Sequence, residues 1–520
     1  MFSENQKQKR VIGTIVRAVS LLFITTACLE YHPKAINTPN VTQWKTEQKE
    51  QVPTVCPEKW WQAFEDEKLN ELEEEAIRQS PTLQLAIARL KEAKASVMIT
   101  RADQFPELDL TGFANRERLA SSTLGQRPMI QSLNPSRVAS APTQALPIVF
   151  SAPSGPISLS PTAPLPPSPR NTNIPIVNTV KQYQTLLQIT PEVTYEVDFW
   201  GKYSKLTQAS VEQMKAQEEA LNTAYLMLST EVAARYFELQ SYDAEIEVNQ
   251  KATEAYEEQV KLSQAQYQAG LVNEINVLQF ETEYYSSLAA YEEVTQLRAA
   301  AENLLATLVG KAASQFHMEK QKFAPKVLTV AAGLPFTLLK KRPDIRQAEH
   351  LVESNRLNVG VAKTAYFPTF IINGQAGYQS NKLSSLFDWK NRIWSATGSL
   401  FMPLFDGGRN HGDVLRAKAV YQESVATFLS TVITAYQEVE TSLYSYRSLS
   451  KEYKQRLAEY RSAKGAKELT LARFDSGLID YLTVIDADLV ELSAQRDEIV
   501  TGRSRILANI TLIKSLGGSW

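Results

Sequence analysis

At 520 residues the chain exceeds one ordinary domain, and its net charge of −2 implies no bulk attraction to nucleic acid. Its two cysteines and four histidines (His32, His317, His350, His411) are scattered, without the spacing of a metal site. Neither a phosphate-cradling glycine loop nor a Gly-x-Ser-x-Gly elbow occurs, which weighs against an enzyme, and no cofactor is expected.

Residues 1–17 are polar and basic, Ala18–Ala27 is apolar, and Cys28 follows. The apolar run is too short to span a bilayer and ends in small residues, so 1–27 reads as a signal peptide. Ile24-Thr25-Thr26-Ala27-Cys28 resembles a bacterial lipoprotein box, which would make Cys28 the acylated N-terminus; plain secretion with cleavage nearby is the alternative. Residues 28–59 are polar and Pro-dotted, as in an extended tether. Trp60, Trp61 and Phe64 open the folded part and are expected to dock on a neighbouring helix.

A helix is expected from Ser80-Pro81, with Ser80 able to cap and Pro81 at the first helical position, to about Gln104, before Phe105-Pro106. The pattern recurs from Arg342-Pro343 to Phe367-Pro368, and each proline is 262 residues from its counterpart. After each Phe-Pro the apolar period becomes two, predicting strands over 107–116, 192–199, 369–379 and 394–404. About ten residues span a bilayer when tilted. A soluble β-sandwich half is the bland alternative, but two hairpins about 170 residues apart in the chain make a poor one.

Each hairpin ends in a glycine turn, at Gly201 and at Gly407-Gly408. Gly201 and Gly408 are 207 residues apart, so between its Phe-Pro proline and its glycine turn the first hairpin (106–200) carries 55 residues more than the second (368–406). The excess is a Pro-, Ser- and Thr-rich tract over about 119–180, which cannot bury a core and reads as an exposed loop. Long helices follow over 202–269 and 410–475; Tyr225, Val232, Leu239 and Ile246 lie seven apart, a coiled-coil seam. They end at Gly270-Leu271 and Gly477-Leu478, again 207 apart, where glycine supplies the left-handed backbone past a helix end. Return helices are expected over 271–309 and 478–516. Stacked end to end, helices 81–104 and 271–309 equal roughly the ~100 Å of the long helix beside them. The expected organisation is repeat one over 60–309, a linking belt over 310–340, repeat two over 341–516 and a tail over 517–520.

This arrangement, with Arg342-Pro343-Asp344-Ile345-Arg346, Tyr366-Phe367-Pro368, Phe405-Asp406-Gly407-Gly408-Arg409 and terminal Leu516-Gly517-Gly518-Ser519-Trp520, resembles the outer-membrane factor (TolC-like) family, and within it the NodT-type efflux lipoproteins. It departs in the 119–180 insertion and at Ser519, where a third glycine is usual. The resemblance implies a mainly α fold with membrane β-structure. In a homotrimer, each chain would give four strands to a twelve-stranded outer-membrane barrel and its helices to a periplasmic coiled-coil tunnel. It also implies tips at Gly270, Leu271, Gly477 and Leu478 that dock on a periplasmic membrane-fusion adaptor, an inner-membrane pump of the RND type, and a pore constriction at Asp486 with Thr483 at the second tip position. The expected function is a passive exit duct in contact with outer-membrane lipid, exporting small molecules such as drugs. A duct for type I protein secretion is an alternative within transport. A lipid-anchored periplasmic coiled-coil adaptor or structural protein is one of another class, and it would bury the four strands in a soluble core.

Overall fold

The computed structural model describes residues 59–118, 183–328 and 341–518, together with Tyr31, Pro33, Ile36, Trp44 and Lys45. The expected signal peptide, Cys28 and the 119–180 loop lie outside the described residues. The helices are α1 (Glu67–Gln79), α2 (Pro81–Ala102), α3 (Lys202–Gln268), α4 (Glu274–Val309), α5 (Pro343–Thr364), α6 (Arg409–Asp475) and α7 (Tyr481–Ser515). The strands are β1 (Glu107–Arg118), β2 (Tyr183–Glu196), β3 (Thr369–Ser380) and β4 (Arg392–Phe401). Among the described residues no helix is long and apolar enough to cross a membrane.

The chain forms two compact units, and the smaller takes in Pro106–Tyr195 and Ile371–Ser399. Its strands make one sheet in the order β1-β2-β3-β4. β1 pairs antiparallel with β2, from Glu107 opposite Thr194 to Arg118 opposite Tyr183. The second strand differs from expectation: it begins at Tyr183, not 192, and ends at Glu196, not 199. Leu186-Leu187 and Pro191 interrupt the alternation that would have revealed its first half. β4 likewise spans 392–401 rather than 394–404. Hardly any strand residue is buried; Leu108, Leu110, Trp394 and Leu400 are each at least 70% exposed.

The helical unit is built on α3, which packs against α1, α2, α4, α5 and α7. The expected seam is real at Val232, Leu239 and Ile246, which are buried, while Tyr225 and Tyr242 are half-buried. Trp60, Trp61 and Phe64 form a 3-10 turn against it: Trp60 Nε1 donates to Ser229 Oγ at 3.1 Å, and the Phe64 ring lies 5.1 Å from that of Phe237. Each such fully buried ring contributes about 1.5–3 kcal/mol. Of the residues expected as an extended tether, two meet the helical unit: the Tyr31 ring stands 5.4 Å from Tyr421 and the Trp44 ring 6.1 Å from Tyr436.

The end-to-end stacking rests on two glycines 207 residues apart. A Cβ on Gly310 would sit 2.7 Å from Gln79 O, and one on Gly517 would sit 3.1 Å from Lys341 O. Both glycines have φ of +81°, so the return helix of each repeat meets the first helix of that repeat through a left-handed residue without a side chain. Pro81 starts α2 as expected, but the Ser80 side chain makes no cap bond. Gly465 does not interrupt α6.

Equivalent residues of the two repeats grip the segment between them. Glu302 Oε1 accepts the Met318 N–H at 2.7 Å. Asn509, 207 residues on, accepts the Leu328 N–H at 3.2 Å and donates to Leu328 O at 3.0 Å. One element of this clamp is present only once. Arg298 Nε pairs with Asp243 at 2.5 Å, with Asp243 nearly fully buried. The equivalents 207 residues on are Arg505 and Ser450. There the carboxylate is absent, Arg505 Nε and Ser450 Oγ are buried without hydrogen-bond partners, and the guanidinium lies 4.9 Å over the Tyr453 ring. Arg298 also pairs with Glu302 at 3.0 Å and donates to Met318 O at 3.0 Å. Asp243→Ala therefore leaves the cation partly answered and should destabilise by about 1–3 kcal/mol, the cost of one lost charged hydrogen bond in a buried site. Ser450→Asp should raise the thermal midpoint by pairing Arg505; an unchanged or lower midpoint in scanning fluorimetry would contradict the correspondence.

Glu73 on α1 is fully buried, and neither carboxylate oxygen has a hydrogen-bond partner. Burial pushes its carboxyl well above the usual range. The unfolded chain ionises near the ordinary glutamate value, so the native state is penalised increasingly as pH rises above that value toward the folded one. Glu73→Gln should raise the midpoint by several degrees at pH 8 and much less at pH 5; equal shifts at both would show that Glu73 is ionised in place.

Candidate functional site

The two hairpin tips are built alike. At the first, the Gly270 N–H donates to Tyr267 O and the Leu271 N–H to Gln266 O, both at 2.9 Å. At the second, the Gly477 N–H donates to Phe474 O at 2.7 Å and the Leu478 N–H to Arg473 O at 3.0 Å. Both glycines have φ of +72°, the paired-bond ending that closes a helix through a left-handed residue. Leu271 and Leu478 project outward, 75% and 73% exposed. Three residues past each glycine a capping side chain starts the return helix: Asn273 accepts the Ile275 N–H at 3.3 Å, and Asp480 accepts the Thr483 N–H at 2.9 Å. The return helices consequently begin at 274 and 481 rather than 271 and 478.

Past the second tip, Thr483 and Asp486 have different surroundings. The Thr483 hydroxyl donates to Asp480 Oδ1 at 2.6 Å, so it serves the cap. That hydroxyl, with the Thr483 N–H, holds the Asp480 carboxyl below its usual range. Asp486 is exposed, and its Oδ1 accepts from Gln259 Nε2 of α3 at 3.0 Å. One turn nearer the tip, Tyr481 OH donates to Glu258 Oε1 at 3.0 Å, which raises the phenol above its usual value. Lys467 of α6 pairs with Asp488 and, at 2.8 Å, with Glu491. The first hairpin's outgoing helix is thus tied to the second hairpin's return helix by two polar contacts just above the tips.

Sequence reasoning missed Glu258, Gln259, Tyr481 and Lys467 as partners. The two α3 contacts join residues 223 and 227 apart, and no local pattern reports such a pairing. The capping residues Asn273 and Asp480 did carry a signal, since their residue types at 207-residue spacing mark helix starts.

The glycine turns leading from strand to helix are also left-handed, with φ of +70° at Gly201, +66° at Gly407 and +90° at Gly408. An aspartate accepts the first helical N–H groups at each. Asp198 accepts from Tyr203 at 3.2 Å and Ser204 at 2.8 Å, and Asp406 accepts from Gly408 and Asn410, both at 2.8 Å. The Trp200 ring stacks 4.7 Å from Phe367, and its Nε1 donates to Pro368 O at 2.7 Å, so the first repeat's turn grips the second repeat's Phe-Pro corner.

A protein-family model described as outer membrane efflux protein matches residues 72–311 and 334–518. Over 463 residues the chain is 28% identical to outer membrane protein OprJ of Pseudomonas aeruginosa, covering 88% of this chain and 86% of that protein. Over 515 residues it is 24% identical to the probable outer membrane lipoprotein SilC of Salmonella typhimurium, covering 97% and 98%. The fold is that of the Campylobacter jejuni CmeC outer membrane channel, which superposes with a TM-score of 0.78 at 21% identity over 94% of each chain. A family match across both repeats, on a fold of two long helical hairpins and one four-stranded sheet, has one meaning: the chain belongs to the outer membrane efflux protein family.

Proposed function

We propose that this protein is the exit duct of a tripartite efflux system, passing small molecules from an inner-membrane pump and a periplasmic adaptor through the outer membrane. The observation that carries this reading is the sheet. Among the described residues its apolar face covers no core, and its outer strands β1 and β4 pair on one side only. A soluble protein buries such a face and covers such edges. Three copies contribute twelve strands, an even and closable number, and closure leaves no backbone group unpaired in lipid. The same exposure counts against the soluble-core alternative.

Trimerisation also fits the helices. Leu85, Met98 and Ile99 of α2, and Leu415, Ile433 and Tyr444 of α6, are each more than half exposed in the single chain. Neighbouring copies would cover them and enclose the tunnel. In this arrangement Cys28 carries the lipid anchor, and the Gly270-Leu271 and Gly477-Leu478 tips meet the adaptor. Three Asp486 carboxylates ring the constriction, favouring cations and repelling one another. The contacts of Glu258 with Tyr481 and of Gln259 with Asp486 hold the tips closed until the adaptor binds. Transport is driven by the pump, for which the RND class is the expected type.

Asp486→Ala removes both the charge ring and the Gln259 contact. Single-channel conductance in planar bilayers should rise severalfold, and an unchanged conductance would remove Asp486 from the constriction. Ile433→Asp, on the exposed face of α6, should shift the detergent-solubilised protein from three chains to one by light scattering. A mass of three chains for that variant would mean that this face of α6 is not between protomers.

A further inference from the structure

The apolar face of the sheet changes character at one end. By the alternation of β1, Leu108, Leu110, Gly112 and Ala114 share a face with Arg116 and Arg118. The first four line most of its height, and the two arginines close it where the strand runs out. Arg118 is opposite Tyr183 at the start of β2, and both guanidinium groups lie over that ring, at 5.9 and 5.8 Å. The second hairpin repeats the arrangement at the same end. β4 opens with Arg392, on the face of Trp394, Ala396, Gly398 and Leu400. Its guanidinium stacks 4.0 Å over the Trp389 ring. Trp389 and Phe387 are 71% and 67% exposed, and Phe387 leans on Tyr378 at 5.7 Å. No acidic residue shares this face in any of the four strands. The acids of β1 and β2, among them Asp109 opposite Glu192, lie on the other face. The near-zero net charge of the chain conceals this local separation.

We propose that this collar of arginines on aromatic rings binds the phosphate groups of a phosphorylated glycolipid of the lipid A type. The inference rests on the duct reading, because it requires the apolar face to meet lipid. Aromatic rings suit the boundary between hydrocarbon and headgroup. A guanidinium stacked on a ring, as at Arg116 and Arg392, can turn its N–H fork to grip a phosphate in two places, and it is more weakly hydrated than an ammonium. Arginines on both hairpins, with no acid between them on that face, complement a headgroup bearing more than one phosphate. Zwitterionic phospholipid offers no net charge to match. The collar also assigns an orientation, with the end bearing Arg116, Arg118 and Arg392 in the glycolipid leaflet.

The test uses the full chain in detergent, titrated with bis-phosphorylated lipid A and separately with lipid A whose phosphates have been removed. The phosphorylated form should bind more tightly, and more so at low salt. Arg116→Gln combined with Arg392→Gln should weaken it roughly tenfold while leaving the dephosphorylated form unaffected. Equal affinity for the two lipids, or no loss in the double variant, overturns the collar. Full competition by inorganic phosphate at matched phosphate concentration overturns the glycolipid assignment in favour of a simple phosphate site. Conductance in neutral phosphatidylcholine bilayers separates the two levels of the argument. Pores there without lipid A preference sink the collar alone, whereas a chain that forms no pores sinks the duct reading and the collar with it.

Discussion

Burial of the middle of α3 on several sides at once is the constraint on which the helical unit depends. A helix of 67 residues is not held by propensity, because most helical stability in water comes from tertiary packing. Val232, Tyr236, Phe237 and Leu239 are sealed by the Trp60-Trp61-Phe64 turn, by the ends of α4 and α7 and by the segment between the repeats. Most polar groups drawn into this zone are answered, with Glu73 and Trp61 Nε1 as exceptions. Tyr236 OH lies 2.8 Å from the Asp66 carboxylate and 2.7 Å from Gln321, and Arg503 reaches Glu245 at 3.0 Å. Apolar contact and long-range hydrogen bonds coincide in this zone. Away from it, towards the tips, the helices carry more exposed side chains and fewer buried ones.

The two repeats share a plan but not every contact. Tip glycines, capping residues, stacking glycines and the residues that grip the linking segment recur at a constant offset. A side chain that performs a task in one repeat can therefore be compared directly with its counterpart. The comparison separates a first hairpin stitched by a buried ion pair from a second in which serine replaces the acid. The hairpin whose return helix carries Asp486 lacks that buried pair, and Arg456–Asp497 at 3.1 Å ties its two helices nearby instead.

Much of this was legible in the residues. Glycine at a helix end has one conformational reason to be there, and two glycines at a fixed spacing identify both tips without coordinates. The Phe-Pro corners and the change of apolar period placed the four strands, and the family resemblance followed from motifs spread over both repeats. The first half of β2 was hidden, because adjacent leucines and a proline break the alternation that pairing with β1 then imposes. The ties between α3 and α7 were also hidden, since Glu258 and Gln259 look like any solvated helix face until the second hairpin is laid beside them. Ser450 and Arg505 could be read as a counterpart pair from the offset alone. The loss of a carboxylate there acquires meaning only once Asp243 is seen gripping Arg298.

A sheet whose two outer strands pair on one side only among the described residues, with leucine and tryptophan bare on one surface, has a consequence for how such a molecule is made. Alone in water, a chain with such edges and such a surface is a template for cross-β stacking and indiscriminate clumping. Any route by which such a chain is made has to keep those ribbons from pairing with one another until their edges are covered.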